Sequence, residues 1–365
     1  MPPVSRRSLL LAGIAASRLR ADTKAGVLPS ELQRYADPAT EFEVIRLTDP
    51  TYTSILPAYY NRVFTRNGSY LFYASDHNGS LQVFRMDLKT GSARQLTDVE
   101  DLDPTSITLT PDNRAVCYFA KRSLYFMNVS SPHERKLYDV PEGWDRCPGM
   151  SVGPDGTHAT FGERKDQGSR LRMVTLGQGA ARTVAEMPFI GSDPIPRPMR
   201  AQVLYRQGNE GLWLVNLDGR QNRQMKLADG GVGPALWAPD GKTILYLNFP
   251  DDTRQLNTLR EFTPDSNTDK NIAKTSQFSH FGVNNDGSVF VGASRNVASP
   301  HLLLLLRLTR RELTICEHKA SRVEMTAPRF SPGNQRVYFQ TDRHGKPAIY
   351  CIHVERLVEK SELAP

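Results

Sequence analysis

No two of the four cysteines, Cys117, Cys147, Cys316 and Cys351, stand in C-x-x-C spacing, and none sits beside a paired-histidine pattern. That excludes a zinc ribbon. Each cysteine lies in or beside a strand-like segment, so free buried thiols are expected, although four cysteines in an exported chain allow three disulfide pairings. Past the N-terminus no apolar run reaches the roughly eighteen residues of a transmembrane helix. The five-leucine run Leu302 to Leu306 is strand length, and no membrane span is expected. Basic residues outnumber acidic ones by 46 to 39 but form no run of five or more, and no stacking-aromatic module accompanies them. A nucleic-acid platform is therefore excluded, and a mildly basic surface suits an acidic sugar. Ser-His-Asp catalysis of the prolyl-peptidase type would need an α/β-hydrolase domain carrying Gly-x-Ser-x-Gly, and neither is expected here.

What the chain has in quantity is turns, with 26 Gly and 25 Pro. The first residues, Ser5-Arg6-Arg7-Ser8-Leu9-Leu10 and the short apolar run to Ala16, read as a twin-arginine export signal over 1–21. A periplasmic or extracellular location is the expectation, with a linker over 22–41 and a tail over 360–365.

Between them a unit of roughly 40 residues repeats, the length of one four-stranded propeller blade. The first copy pairs 60–66 with 69–74 across Asn67-Gly68, then adds Leu81 to Leu88 and Ala93 to Thr97. The same cadence returns at Thr110-Pro111-Asp112-Asn113, Gly153-Pro154-Asp155-Gly156, Ala238-Pro239-Asp240-Gly241, Asn285-Asp286-Gly287 and Ser331-Pro332-Gly333-Asn334. Proline presets one dihedral of such turns, and Asp, Asn or Gly tolerates the others. A degenerate unit around Ala201 to Tyr205 and Leu212 to Asn216 brings the count to seven. The last unit lacks its fourth strand, which the segment Glu43 to Thr48 supplies from the other end of the chain. The expected fold is all-β: one seven-bladed β-propeller over 42–359, with four-stranded antiparallel blades and a last blade closed by the N-terminal strand. The polar stretch 251–275 reads as a long hairpin loop in the fifth unit.

Three stretches narrow the likeness beyond propellers in general. Gly143-Trp144 leading to Ser151-Val152-Gly153-Pro154-Asp155-Gly156, Leu212-Trp213-Leu214-Val215-Asn216, and Ser279-His280-Phe281-Gly282-Val283 resemble, in that order, the oligogalacturonate lyase family. The resemblance runs from about Phe42 to the C-terminus. It implies β-elimination of short pectin fragments, with a divalent metal such as manganese held by histidines and a glutamine near the central channel. A base removes the proton beside the uronate carboxylate, and a cation or arginine on that carboxylate stabilises the carbanion.

Position by position, the match keeps the frame and loses much of the chemistry. His280 stands at the family's metal-binding histidine. The family's glutamine and remaining histidines fall in 322–332, which contains neither residue type, although Glu324 offers a substitute ligand. The family's basic histidine falls on Pro234, ahead of a retained Trp237, and its arginine falls near Gly211. Arg197, Arg206 and Arg322 are the candidate contacts for an acidic oligosaccharide, and Tyr60, Tyr205 or His301 are candidates for a relocated base. Two readings stay open: a propeller acting on or binding oligogalacturonate, with impaired or altered catalysis, and a non-enzymatic TolB-like propeller mediating protein interactions.

Overall fold

The computed structural model describes residues 26–131, 133–252, 254–355 and 357. The export signal expected at 1–21 and the tail at 360–365 lie outside them. Seven antiparallel sheets follow one another along the chain, and the first strands of successive sheets touch around a common axis. These are the blades of the propeller, numbered here from the N-terminal one.

The run Leu302 to Leu306 shows why such strands are apolar on both faces. In blade 6, strand His301–Leu306 sends Leu302, Leu304 and Leu306 into a core shared with blade 7. Leu303 and Leu305 enter a different core, shared with blade 5. Side chains alternate across a strand, so stacking a blade on both sides turns an alternating pattern into a continuous one. The tight turns that mark the repeat connect the first and second strands of their blades, and Gly156, Gly241 and Gly287 adopt the positive φ such turns demand.

Ring closure is double. Strand Glu43–Arg46 pairs with Ala348–His353 as the fourth strand of blade 7, with Ile45 opposite Cys351. The segment 26–41, expected to be a linker, is instead structured. Gln33–Ala36 adds a fifth strand outside Glu43–Arg46, and Val27–Leu28 pairs with Ala93–Gln95 on the outer edge of blade 1. Gly91 permits this crossing: it has a φ of +76°, and a β-carbon there would come within 2.3 Å of Ser30 and 2.8 Å of Leu32. These strands escape a sequence reading because their residues are mostly exposed and carry little alternation.

Two further expectations are corrected. Within 251–275 lie two regular strands of blade 5, Thr258–Thr263 and Thr268–Lys274, polar because they form the solvent-facing outer hairpin. The first strand of blade 1 is not continuous over 60–66. Ser54–Ile55 pairs with the second strand, the backbone then loops away, and pairing resumes at Phe64 opposite Leu71. All four cysteines are buried free thiols.

Candidate functional site

Each first strand is irregular near the end where it enters the channel, here called the upper end. Register slips between Arg146 and Met150 in blade 3, Ser192 and Ile195 in blade 4, Val232 and Ala235 in blade 5, and Phe278 and His280 in blade 6. Blades 2 and 7 carry the short 3-10 helices Pro104–Ser106 and Val323–Thr326 at the matching place. A bulge re-aims the side chains around it, and here the bulged strands all border the axis.

The loop 56–62 of blade 1 crosses that axis and touches every other blade. Leu56 N donates to Gln340 Oε1 at 2.8 Å, and Pro57 O accepts from Arg329 Nη2 at 2.7 Å, both in blade 7. Ala58 N donates to Thr105 O of blade 2 at 3.1 Å. Tyr60 donates to Asp193 Oδ1 of blade 4 at 2.9 Å, passing the bare α-carbon of Gly149 in blade 3. Tyr59 Oη donates to Ala235 O and accepts from Ala235 N in blade 5, each at 3.1 Å. Its ring lies edge-on to His280 of blade 6, with centroids 4.6 Å apart.

Around this plug stand the charged groups. Arg206 approaches Asp193 to 3.9 Å and donates to Val232 O at 2.9 Å, while its Nε is buried without a partner. Asp103 and Arg146 pair beside them. Arg329, 7% exposed, donates to Pro57 O and, at 3.4 Å, to Ala327 O, leaving Nη1 unpartnered. His280, 6% exposed, leaves Nδ1 unpartnered.

Burial dominates the acid–base behaviour. It drives the His280 pKa down to about 3, helped by the nearby Arg329 and Arg206 guanidiniums, so the imidazole is neutral at physiological pH. Burial lowers even Arg329, to about 10. Tyr59 is pushed up to about 12 by burial and the Asp193 charge, and Tyr60 rises well above its usual value for the same reasons. Asp193 itself is raised by burial, against the opposing pull of Arg206 and the Tyr60 hydrogen bond.

Of the residues singled out from sequence, His280, Arg206 and Tyr60 converge here. Arg322 is exposed in a neighbouring cleft of about 710 Å³ between blades 6 and 7, with Arg295, Lys319 and His318 in its wall. Arg197 does not join them. It lies at the opposite end of the blade 4 strand, 1% exposed, its guanidinium consumed by Gly241 O, Lys242 O, Gln202 and Asp265 and stacked over Trp237. Tyr205 is a core residue bonded to Asn222, and His301 opens the third strand of blade 6, two strands from the axis. Near Gly211 a side chain would meet Gln224 at 2.6 Å, so the arginine facing the channel comes from the adjacent strand, as Arg206. Pro234 sits in the blade 5 bulge, whose next residue Tyr59 seals.

Tyr59, Asp103, Arg146, Asp193 and Arg329 are not singled out by sequence reasoning. The one local signal is Pro57-Ala58-Tyr59-Tyr60, which interrupts the alternation between Ile55 and Val63. Gly149-Met150-Ser151-Val152-Gly153 also has the spacing of a nucleophile elbow, but Ser151 is buried inside a strand with its hydroxyl 3.5 Å from Asn61, not at a strand-to-helix turn.

A divalent cation does not fit these side chains. Among the described residues no three of His, Cys, Asp and Glu are grouped to hold one. Glu324 turns to Ser279 and Arg295, and the positive charges that bear on His280, Arg329 and Arg206, oppose a cation, which needs anionic or neutral donors.

The chain is similar to known proteins over most of its length. Residues 23–165 match the oligogalacturonate lyase family. The chain is 26% identical to the oligogalacturonide lyase of Pectobacterium atrosepticum, across 91% of this chain and 98% of that protein. Against the oligogalacturonate lyase of Dickeya dadantii it is 24% identical, across 88% and 95%. A solved oligogalacturonate lyase in complex with manganese superposes with a TM-score of 0.86 at 24% identity, across 91% of this chain and 98% of that one. The oligogalacturonate lyase of Vibrio parahaemolyticus gives 0.84 at 23% identity, across 91% and 98%.

Proposed function

We propose that this chain, an oligogalacturonate-lyase-like propeller, binds uronate oligosaccharides at the upper mouth of its channel and has lost the elimination step. As an exported protein it would meet pectin fragments outside the cytoplasm. The observation that carries the reading is the gathering of Arg206, Arg329 and His280 about the crossing loop, through Asp193 and Tyr60, Pro57 and Tyr59 respectively, with Arg322 and Arg295 in the adjoining cleft. Guanidiniums are the side chains best matched to planar carboxylates, and a uronate oligomer presents one per sugar.

The loss of chemistry has a structural cause. Pro234 cannot accept a proton, and Tyr59 occupies the space beside it, bonded to both polar atoms of Ala235. Tyr60 is held protonated, and His280 has guanidiniums for neighbours in place of further ligands. A general base alone is worth about 10²–10⁴ in rate, so its absence takes turnover far below that of an intact lyase. Asp193 is the one carboxylate of the cluster that burial raises above the usual carboxylate range, which makes it the candidate for a relocated base.

The test follows the ultraviolet absorbance of the unsaturated uronate product in mixtures of purified protein with di- and trigalacturonate, beside calorimetric titration. Binding without a rise in absorbance is expected. A rise that vanishes in Asp193→Asn would reveal a working lyase with a relocated base, and the absence of binding would remove the sugar reading altogether.

A further inference from the structure

The turn between the first and second strands of each blade lies at the lower end of the ring, and each such turn holds one residue in the left-handed region. In six blades that residue is Gly68, Asn113, Gly156, Gly241, Gly287 or Asn334, types that tolerate the conformation. In blade 4 it is Met199, with a φ of +62° and 92% of its surface exposed. A long apolar side chain gains little there by packing, and its backbone is strained. Nor does it stand on a flat surface. Three cavities of about 230, 390 and 470 Å³ indent the lower face across blades 1 to 5, and Pro154 lines all three. Met199 borders the one between blades 3 and 4, Arg62 the one at the lower mouth of the channel, and Arg66 and Arg135 the one beside blade 2.

Charge along these cavities is one-sided. Their two carboxylates are tied into their own turns, Asp112 by the Thr110 hydroxyl at 2.6 Å and Asp155 by the Thr157 hydroxyl at 2.7 Å. Arg200 is matched by Asp265 at 3.0 Å, whereas the guanidiniums of Arg62 and Arg66 have no partner among the described residues. We propose that the lower face of blades 1 to 4 docks an extended, acidic segment of a partner protein, with Met199 receiving an apolar side chain that lies between the partner's carboxylates. Arginines without counter-ions set the sign of the partner. Met199 sets its apolar part, since a flexible thioether adapts to many side chains. An aromatic platform for a sugar ring is missing from these cavities: Trp237 is 7% exposed with Arg197 over its ring, and Arg135 covers Phe126. The crossing loop closes the channel above, so this face works independently of the sugar-binding mouth.

The experiment titrates the full chain at low salt into three fluorescent probes and follows their anisotropy. One is a short peptide of glutamate interrupted by leucine, the second its glutamine counterpart, and the third labelled polygalacturonate. The glutamate peptide is expected to bind, and the glutamine peptide to bind tenfold or more weakly. Met199→Gly, which installs the residue type of four other blades, is expected to lose fivefold or more for the glutamate peptide. The same variant should melt no lower than the intact sequence, because it relieves the left-handed backbone, and its titration with digalacturonate should be unchanged. The pair Arg62→Gln and Arg66→Gln should weaken the glutamate peptide and flatten its dependence on salt, while Arg254→Gln, in the loop between the second and third strands of blade 5, should do neither.

No binding of the glutamate peptide would overturn the proposal, and so would equal affinity for the two peptides or an affinity untouched in Met199→Gly. Polygalacturonate bound in a manner sensitive to Met199→Gly, with neither peptide bound, would also overturn it and give this face to an acidic polysaccharide. Loss of peptide binding in Met199→Gly together with an unlowered melting temperature is the result that supports an anchor, since a residue serving only the fold would lower both.

Discussion

At the scale of single residues, His280 makes the most direct claim on measurement. Its folded pKa of about 3 lies below the ordinary value of 6.5, so the folded protein binds fewer protons than the unfolded chain between those limits. The stabilisation that comes from keeping this ring neutral is therefore complete above pH 6.5 and is lost as pH falls toward 3. The slope approaches roughly 1.4 kcal/mol per pH unit. In His280→Gln that slope should vanish, so that urea melts of the two proteins converge or cross on acidification; parallel curves from pH 7 to 4 would refute the assignment. The same residue shows what sequence can and cannot supply. Ser279-His280-Phe281 marks the position by motif, but nothing in the motif tells that the neighbours are guanidiniums. Arg206 and Arg329 arrive from strands 74 and 49 positions away, in registers set by tertiary pairing. Arg197 misleads for the complementary reason. Its exposure looks plausible in a loop of prolines, yet turn carbonyls from the next blade consume it.

At the scale of the element, the loop 56–62 converts an open channel into a closed floor. Its seating depends on a glycine: Gly149 has a φ of +87°, and a β-carbon there would fall 2.3 Å from the Tyr60 hydroxyl. Gly149→Ala should cost about 1–3 kcal/mol through the strained backbone and the displaced tyrosine. It should also weaken digalacturonate binding, because Tyr60 and Tyr59 position the surroundings of Asp193 and His280. Thermal melts read the first effect and calorimetry the second, and an unchanged melting temperature would mean that the loop is not braced at this point. Such loops hide from sequence reading because an inner strand and a crossing loop are both short, partly apolar and tyrosine-rich. The hairpins are legible for the opposite reason: Pro154-Asp155-Gly156 and Pro239-Asp240-Gly241 announce their turns within four residues.

At the scale of the whole molecule, the ring is held shut at two edges by one N-terminal segment. Val27–Leu28 lies on blade 1, and Gln33–Ala36 and Glu43–Arg46 lie on blade 7. Removing 26–48 would leave Ala348–His353 as a bare edge of mostly buried apolar residues, and exposed edges invite pairing with other chains. The truncated protein is expected to elute as larger species than the intact chain, and a peptide spanning 26–48 added in trans should restore the elution of the intact chain. A truncation with unaltered elution and melt would show that seven blades close without their latch.

That latch also sets a schedule. Ile45 and its partner Cys351 stand at opposite ends of the chain. At roughly 5–20 residues per second of synthesis, the strand that holds Ile45 waits on the order of 15–60 seconds for the one that holds Cys351. During that interval the chain carries an unclaimed edge at its leading end, and blades 1 to 6 have no ring to belong to. The final pairing is therefore a clock as well as a clasp: until it strikes, the ring has an unclaimed edge at either end.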